Sequence, residues 1–337
     1  MTATGPHSLG CMVFVIAALG CSDGRSCHRS GHETVPSGEA IPGQAIPGER
    51  ADSGDGVPER SLTLWLGGDV HLGANRDDGL APLAQELVGA FGIVNLEGPV
   101  GSDAAASTAE RLVNAPESLE MLAAHGVVVA GIANNHAGDL GARGIAATKQ
   151  ALTARGIAPA GHPAGDGVAV IEHNGIRVAV SAHDLSAGVP DDLAAQLGRA
   201  RKRGDVLVAW FHVLAPPLYN RRPELRQAVD LALAAGATVI AGHGSHAIAR
   251  VERRGDAVIV WGLGNLLFAC ECSRETEGLI VYLELSRNGV GKAEVIPIDA
   301  GLSGAPATLA AEPGVTLDLL ESLGSRLLRR TGDRGFF

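Results

Sequence analysis

The stretch Gly242-His243-Gly244-Ser245-His246 places two imidazoles among small residues, directly after the apolar run Val239-Ile240-Ala241. A histidine kept for packing sits on a regular element. A loop of small residues instead lets backbone and ring approach a bound group closely. Four other apolar runs end in similar residue types. Asp69 and His71 close "LTLWLGGDVH", and Glu97 closes "GIVNLEG". Asn134, Asn135 and His136 close "VVVAGIANNH", with Asp139 three residues further on, and His212 closes "DVLVAWFH". Imidazole nitrogens mixed with carboxylate and amide oxygens, without thiolate, suit a divalent metal of the Mn, Fe or Zn type better than Ca. A carboxylate can bridge two such ions about 3.5–4 Å apart, so one or two ions are expected. Such ions activate water at neutral pH and neutralise charge growing on a phosphoryl or acyl oxygen.

These residues need elements that bring them together. The five runs are nearly continuous in apolar residues, as in strands buried on both faces. Between them the pattern predicts helices over about 78–90, 116–125, 142–155, 190–203 and 223–235. Gly126, Gly156 and Gly236 stop three of these. Alternation of strand and helix reads as an α/β fold. Ligands of open α/β sheets bind beyond the carboxyl ends of the strands, where the five sets of side chains can converge. Residues 167–184, 249–265 and 278–298 read as hairpins turning at Asn174-Gly175, Arg254-Gly255-Asp256 and Asn288-Gly289, which implies a partly antiparallel second sheet. The tail 316–330 reads as a helix.

The formal net charge of −10 and the lack of a basic stripe with interleaved aromatics exclude nucleic acid as the main partner. The run Arg201-Lys202-Arg203 is short and reads as a solvated helix end. At the N-terminus, "CMVFVIAALGC" is too short an apolar run to span a bilayer and fits a secretory signal core. Its end, Ala18-Leu19-Gly20-Cys21, resembles a bacterial lipobox, with Cys21 as the lipidated residue. Residues 1–21 are thus expected to be a leader, and residues 22–60, rich in Gly, Pro and Ser, a flexible linker. Export with a lipid anchor in the cell envelope is the expected location, with a secreted or periplasmic protein as the alternative. Cys270 and Cys272 could close a small ring in an oxidising compartment, and their state is left open. His162 and His183 are candidate cleft liners.

The order Asp-x-His, acidic residue, Asn-His, His and Gly-His…His resembles that of calcineurin-like metallophosphoesterases. It is closer still to their CapA branch, the capsule or poly-γ-glutamate synthesis proteins. "GGDVHLG" (67–73), "VNLEGPV" (94–100), "GIANNHAGDLGARGIAATKQAL" (131–152), "AGATVIAGHGSHAIARVE" (235–252) and "VWGLGNLLF" (260–268) carry the likeness. It covers residues 61–300, with 301–337 as a C-terminal helix and tail.

The resemblance implies a four-layer sandwich of two mixed β-sheets flanked by helices. It implies that Asp69 and His71 hold one metal, with Glu97 as the bridging carboxylate. Asn135, His212 and His243 would hold a second, and His246 would turn toward the first. His136 would act as proton donor, oriented by Asp139. Asn134 and Asn265 would line the cleft, although Asn265 is equally explained as satisfying a turn backbone. The implied function is that of a metal-dependent hydrolase or transferase handling an extracellular anionic polymer or related envelope substrate. The implied partners are the membrane, through the anchor, and a capsule-synthesis membrane complex. The alternative is a non-catalytic polymer-binding or scaffold lipoprotein with a vestigial metal site. Three features depart from the family pattern. Val213-Leu214-Ala215 follow His212 where Trp-Gly and then a Glu are usual. The loop reads Gly-His-Gly-Ser-His, not Gly-His-His-Pro-His. Glu97 stands where the standard phosphoesterases carry Asp.

Overall fold

Period-two alternation decides which way each central strand faces. In β1 (Leu62–His71), Leu62, Leu64 and Leu66 enter one core while Trp65 enters another on the opposite face. The computed structural model describes residues 61–161, 167–214 and 222–337. The leader, Cys21, the linker 22–60 and His162 lie outside the described residues.

The first half of the chain alternates as its sequence predicts. After β1 come α1 (Ala84–Leu87), β2 (Phe91–Leu96), α2 (Leu119–Ala124), β3 (Val127–Gly131), α3 (Gly141–Thr153) and β4 (Ala158–Ala160). β1, β2, β3 and β4 lie side by side in parallel. The helix expected over 78–90 is reduced to a 3₁₀ turn, Ala81–Leu83, followed by the single turn of α1.

A second sheet follows. β5 (Val168–His173) and β6 (Ile176–Asp184) form the expected hairpin, with positive φ at Asn174 and Gly175. The chain continues through α4 (Leu193–Arg201), β7 (Val206–His212), α5 (Pro223–Ala234), β8 (Val239–His243), β9 (Val251–Arg254) and β10 (Ala257–Val260). The strand order is β5-β6-β7-β8-β10-β9, with β6, β7, β8 and β10 parallel.

The chain then returns to the first sheet. β11 (Asn265–Phe268) pairs parallel with the end of β1, and β12 (Glu277–Ser286) runs antiparallel along the first part of the same edge, opposite β2. β13 (Gly289–Asp299), β14 (Gly301–Leu302) and β15 (Thr308–Leu309) follow, then α6 (Pro313–Ser322). The helix expected over 316–330 therefore ends at Ser322. Gly324, at φ 101°, donates its N–H to Glu321, and Ser325 donates to Leu320, satisfying two terminal carbonyls. The remaining chain forms β16 (Arg329–Thr331) and β17 (Arg334–Phe336), which extend the first sheet through β13.

The two sheets meet face to face. Leu64, Ile93 and Val129 from the first share a core with Val180, Val208, Trp210 and Val258 from the second. Leu87, Leu119, Leu122 and Leu152 cover the outer face of the first sheet. Leu193, Leu197, Leu225 and Val229 cover that of the second. The result is the expected four-layer α/β arrangement of two mixed sheets flanked by helices. Among the described residues, no helix is long and apolar enough to cross a membrane.

Candidate metal centre

Parallel pairing aligns the strand ends. Asp69 of β1 is in register with Asn95 of β2, and His212 of β7 with His243 of β8. The β1 register shifts on either side of Asp69, so that residue is delivered at an irregularity in the strand. Gly68 makes this possible: a Cβ there would lie 1.8 Å from the Gly264 carbonyl oxygen. Asp69 then donates its own N–H to that carbonyl.

The side chains gather around Asp69, which is fully buried. Potential ligand atoms of Asp69, His212 and His243 all lie within 4.8 Å of one another, and so do those of Asp69, Glu97 and His246. His243 Nδ1 is 3.4 Å from Asp69 Oδ1, and His246 Nδ1 is 3.4 Å from Oδ2. His246 Nε2 is 3.9 Å from Glu97 Oε1. The carboxylate common to both groups is thus Asp69, where the resemblance implied Glu97. The cause is placement: Asp69 lies near the carboxyl end of β1, within reach of both His212 with His243 and Glu97 with His246.

Asn135 and His71 also stand differently from expectation. Asn135 Oδ1 lies 2.8 Å from His212 Nε2. An amide oxygen only accepts, so it fixes the proton on Nε2 and leaves the Nδ1 lone pair facing inward. Asn135 thus stands beside a candidate ligand, in position to orient its ring. His71 belongs to neither group. Its Nε2 lies 3.3 Å from the Val113 carbonyl, and its Nδ1 accepts the Cys270 N–H at 3.2 Å. Burial pushes its pKa down to about 4, against the pull of that carbonyl, so the ring is neutral and both nitrogens are occupied.

The buried carboxylates are held by donors that the sequence reading missed. Gly244 N–H reaches both Asp69 oxygens, and Asn95 Nδ2 donates to Asp69 Oδ1 at 2.8 Å and to Glu97 Oε2 at 3.4 Å. Asn134 Nδ2 in turn donates to Asn95 Oδ1 and to the Leu96 carbonyl. Asn95 could have been found: it precedes Glu97 by two, so alternation puts it on the same face. Asn265 Oδ1 lies 2.9 Å from His246 Nδ1, while its Nδ2 donates to Ser273 and to the Glu275 carbonyl. Asp139 accepts at Oδ2 from the Leu112 N–H and lies 2.8 Å from His136 Nδ1. Cys270 and Cys272 are joined as a disulfide.

Burial and neighbouring charges oppose each other here. Burial acts to raise the Asp69 pKa, but His243 and His246 together hold it well below the usual carboxylate range. Burial, with the Asp69 charge behind it, pushes Glu97 up to about 8. Burial acts to lower His246, but Asp69 and Glu97 overcome it and raise the ring to about 10. Burial, reinforced by His243, takes His212 well below its ordinary value, so it is a neutral donor.

Two observations bear on whether a divalent ion fits. His243 Nε2 is buried with no hydrogen-bond partner among the described residues. His212 and His243 also turn their Nδ1 atoms toward each other at 3.3 Å, beside the Asp69 carboxylate. Neutral imidazole and carboxylate are the forms in which these groups bind metal. Their buried convergence is what a cation would stabilise, so the donor set of Asp69, His212 and His243 fits.

Residues 53–270 match the family described as bacterial capsule synthesis protein PGA_cap. The chain belongs to that family. This family member is 32% identical over 209 residues to the PGA biosynthesis protein CapA of Bacillus subtilis, covering 54% of this chain and 53% of that protein. It is 26% identical over 208 residues to the capsule biosynthesis protein CapA of Bacillus anthracis, covering 54% and 50%. The matches therefore span about half the length of these relatives. Among solved structures, a hypothetical protein from Thermus thermophilus is similar in fold. Its TM-score is 0.52 at 16% identity, covering 71% of this chain and 100% of that one. The residues of both candidate ligand groups, from Asp69 to His246, all fall inside the matched residues.

Proposed function

We propose that this chain is an exported, envelope-bound protein of capsule biosynthesis that cleaves or transfers a bond in an anionic polymer, using a divalent metal. The supporting observation is the sharing of Asp69 between two ligand groups, one with His212 and His243, the other with Glu97 and His246. Family membership and the CapA relatives support the polymer; poly-γ-glutamate is the first candidate. An ion of the Mn, Fe or Zn type bound there would supply Lewis acidity and a water of lowered pKa.

The chain's own residues account for the rest of the chemistry. Asn95 and the Gly244 N–H hold Asp69 in one orientation. Asn134 holds Asn95. His136 presents Nε2 to the substrate because Asp139 takes Nδ1, and it donates a proton to the leaving atom. The packed layers bury Asp69, Glu97, His212 and His243, which strengthens the electrostatic interactions among them. The leader would direct export, and lipidated Cys21 would tether the domain to the membrane, next to a capsule-synthesis complex.

A second reading has an observation of its own. His71 is tied to two backbone groups, and no Glu follows His212, which favours a binding or scaffold protein holding a polymer carboxylate through a single ion. Comparing wild type with His136→Ala on γ-glutamyl peptides and on phosphoesters separates the readings. Metal-dependent turnover that falls about a hundredfold in the variant, with metal content unchanged, supports the enzyme. Metal-bound protein with no turnover on either substrate class rejects it.

A further inference from the structure

A cleft of about 530 Å³ opens beside the candidate centre. That size is within the range of small-molecule sites, roughly 300–1,000 Å³. Asn134, which positions Asn95, forms part of its wall. On another wall, Asp184 stands in register with His212 across the β6–β7 pair. The cleft is therefore next to the metal ligands and separate from them.

Its polar lining has a definite pattern. Asp192, Gln196 and Arg199 recur at intervals of four and three, so they share one face of the α4 segment, and all three line the cleft. Gln196 Nε2 donates to Asp192 Oδ1 at 2.7 Å, and Arg199 stands 3.9 Å from Asp192 Oδ2. Asp184 faces them from the end of β6. His183 is 7% exposed, and its Nε2 lies 2.8 Å from Ser181 Oγ. The non-polar walls are small: Ala133, Ala137, Gly138 and Gly161 leave backbone within reach.

Among the described residues, one cation and two carboxylates line this small cleft, and they select among ligands. A phosphate dianion would meet Asp184 and Asp192 at close range, which like-charge repulsion penalises. A free α-amino acid end carries both signs. Its carboxylate matches Arg199 and its ammonium matches Asp184 and Asp192. We infer that this cleft seats the amino-terminal residue of an amide-linked acidic chain, and so presents the next amide toward the candidate centre. The inference rests on the proposed polymer reading and narrows it to a chain end and to amide over phosphoester.

Titration calorimetry of the full chain in excess chelator tests it, with γ-glutamyl-glutamate, its N-acetyl derivative and inorganic phosphate as probes. The dipeptide is expected to bind, and acetylation to weaken it by about tenfold or more through loss of the ammonium. Arg199→Met should weaken the dipeptide by a similar factor, and Asp192→Asn should shrink the difference between the free and acetylated forms. Both variants lie on an exposed helix face and should keep the wild-type melting temperature. Equal binding of free and acetylated dipeptide, an unaffected Arg199→Met, phosphate binding as tightly as the dipeptide, or no dipeptide binding at all overturns the inference. Because the titration is done without metal, its failure leaves the metal reading standing. Loss of metal binding with dipeptide binding retained contradicts only the metal reading.

Discussion

The Gly244 N–H meets both carboxylate oxygens of Asp69, at 3.0 and 2.9 Å, across 175 positions of sequence. One backbone donor thus joins the end of the first sheet to the loop leaving the second. Gly244 has φ 85°, and a Cβ there would lie 2.5 Å from His212 Cε1. Gly244→Ala should therefore move the His212 ring and strain the turn, lowering stability by about 1–3 kcal/mol. Denaturant melts and metal content check this together: the expected result is a lower midpoint and lost metal, and a variant with wild-type values for both rejects the tight fit.

Asn95 predicts a gentler effect. It donates to Asp69 and to Glu97, and its removal leaves two buried carboxylates without their shared amide. Asn95→Ala should reduce metal affinity by about 10–100-fold, the usual cost of losing a partner that orients ligands. Competition against a fluorescent chelator measures this, and affinity within about twofold of wild type would show that the bond is incidental.

His183 predicts a pH dependence of stability away from the metal ligands. Burial lowers its pKa from 6.5 to about 4, against the pull of Asp192; Asp184 and Arg199 also line its cleft. The folded state disfavours the charged ring, so the unfolded chain binds more protons between those two values. Stability attributable to this residue is complete above about pH 6.5 and is lost as pH falls toward 4. The loss by pH 4.5 is of the order of 2–3 kcal/mol. Urea unfolding of wild type and His183→Asn at pH 7.5 and 4.5 reads it as a smaller pH effect in the variant. Parallel losses in both proteins would contradict it.

His136 and Asp139 predict a split between positioning and chemistry. Asp139→Asn keeps an oxygen near His136 Nδ1 and the Leu112 N–H but loses the charge that fixes the tautomer. Turnover should fall by about tenfold or more while substrate affinity and metal content hold. A variant changed in KM and unchanged in kcat would place Asp139 in substrate binding instead.

Much of this is legible in sequence because strand and ligand coincide there. Five apolar runs ending in Asp, Glu, Asn or His carry both the sheets and the convergence of their ends. The pattern cannot show which carboxylate is shared, because that depends on the irregular register around Asp69 and on Gly68 passing under Gly264. Nor can Asp-x-His reveal that His71 turns toward Val113 and Cys270, since both partners are backbone groups distant in sequence. The terminal hairpin β16–β17 reads as helix because Leu327 and Leu328 prolong the apolar spacing, although Gly324 carries a stop signal of the kind used at Gly126, Gly156 and Gly236. The cleft beside α4 is only partly visible, through His183.

Elemental analysis of the purified chain, wild type against Asp69→Asn, tests the convergence on Asp69 most directly. One or two equivalents of a transition metal should co-purify with wild type and be removed by chelator. The folded Asp69→Asn protein should hold almost none, because both ligand groups lose their common member. A wild-type protein that takes up no transition metal at micromolar concentration, or a variant that binds it equally well, contradicts a metal centre built on Asp69.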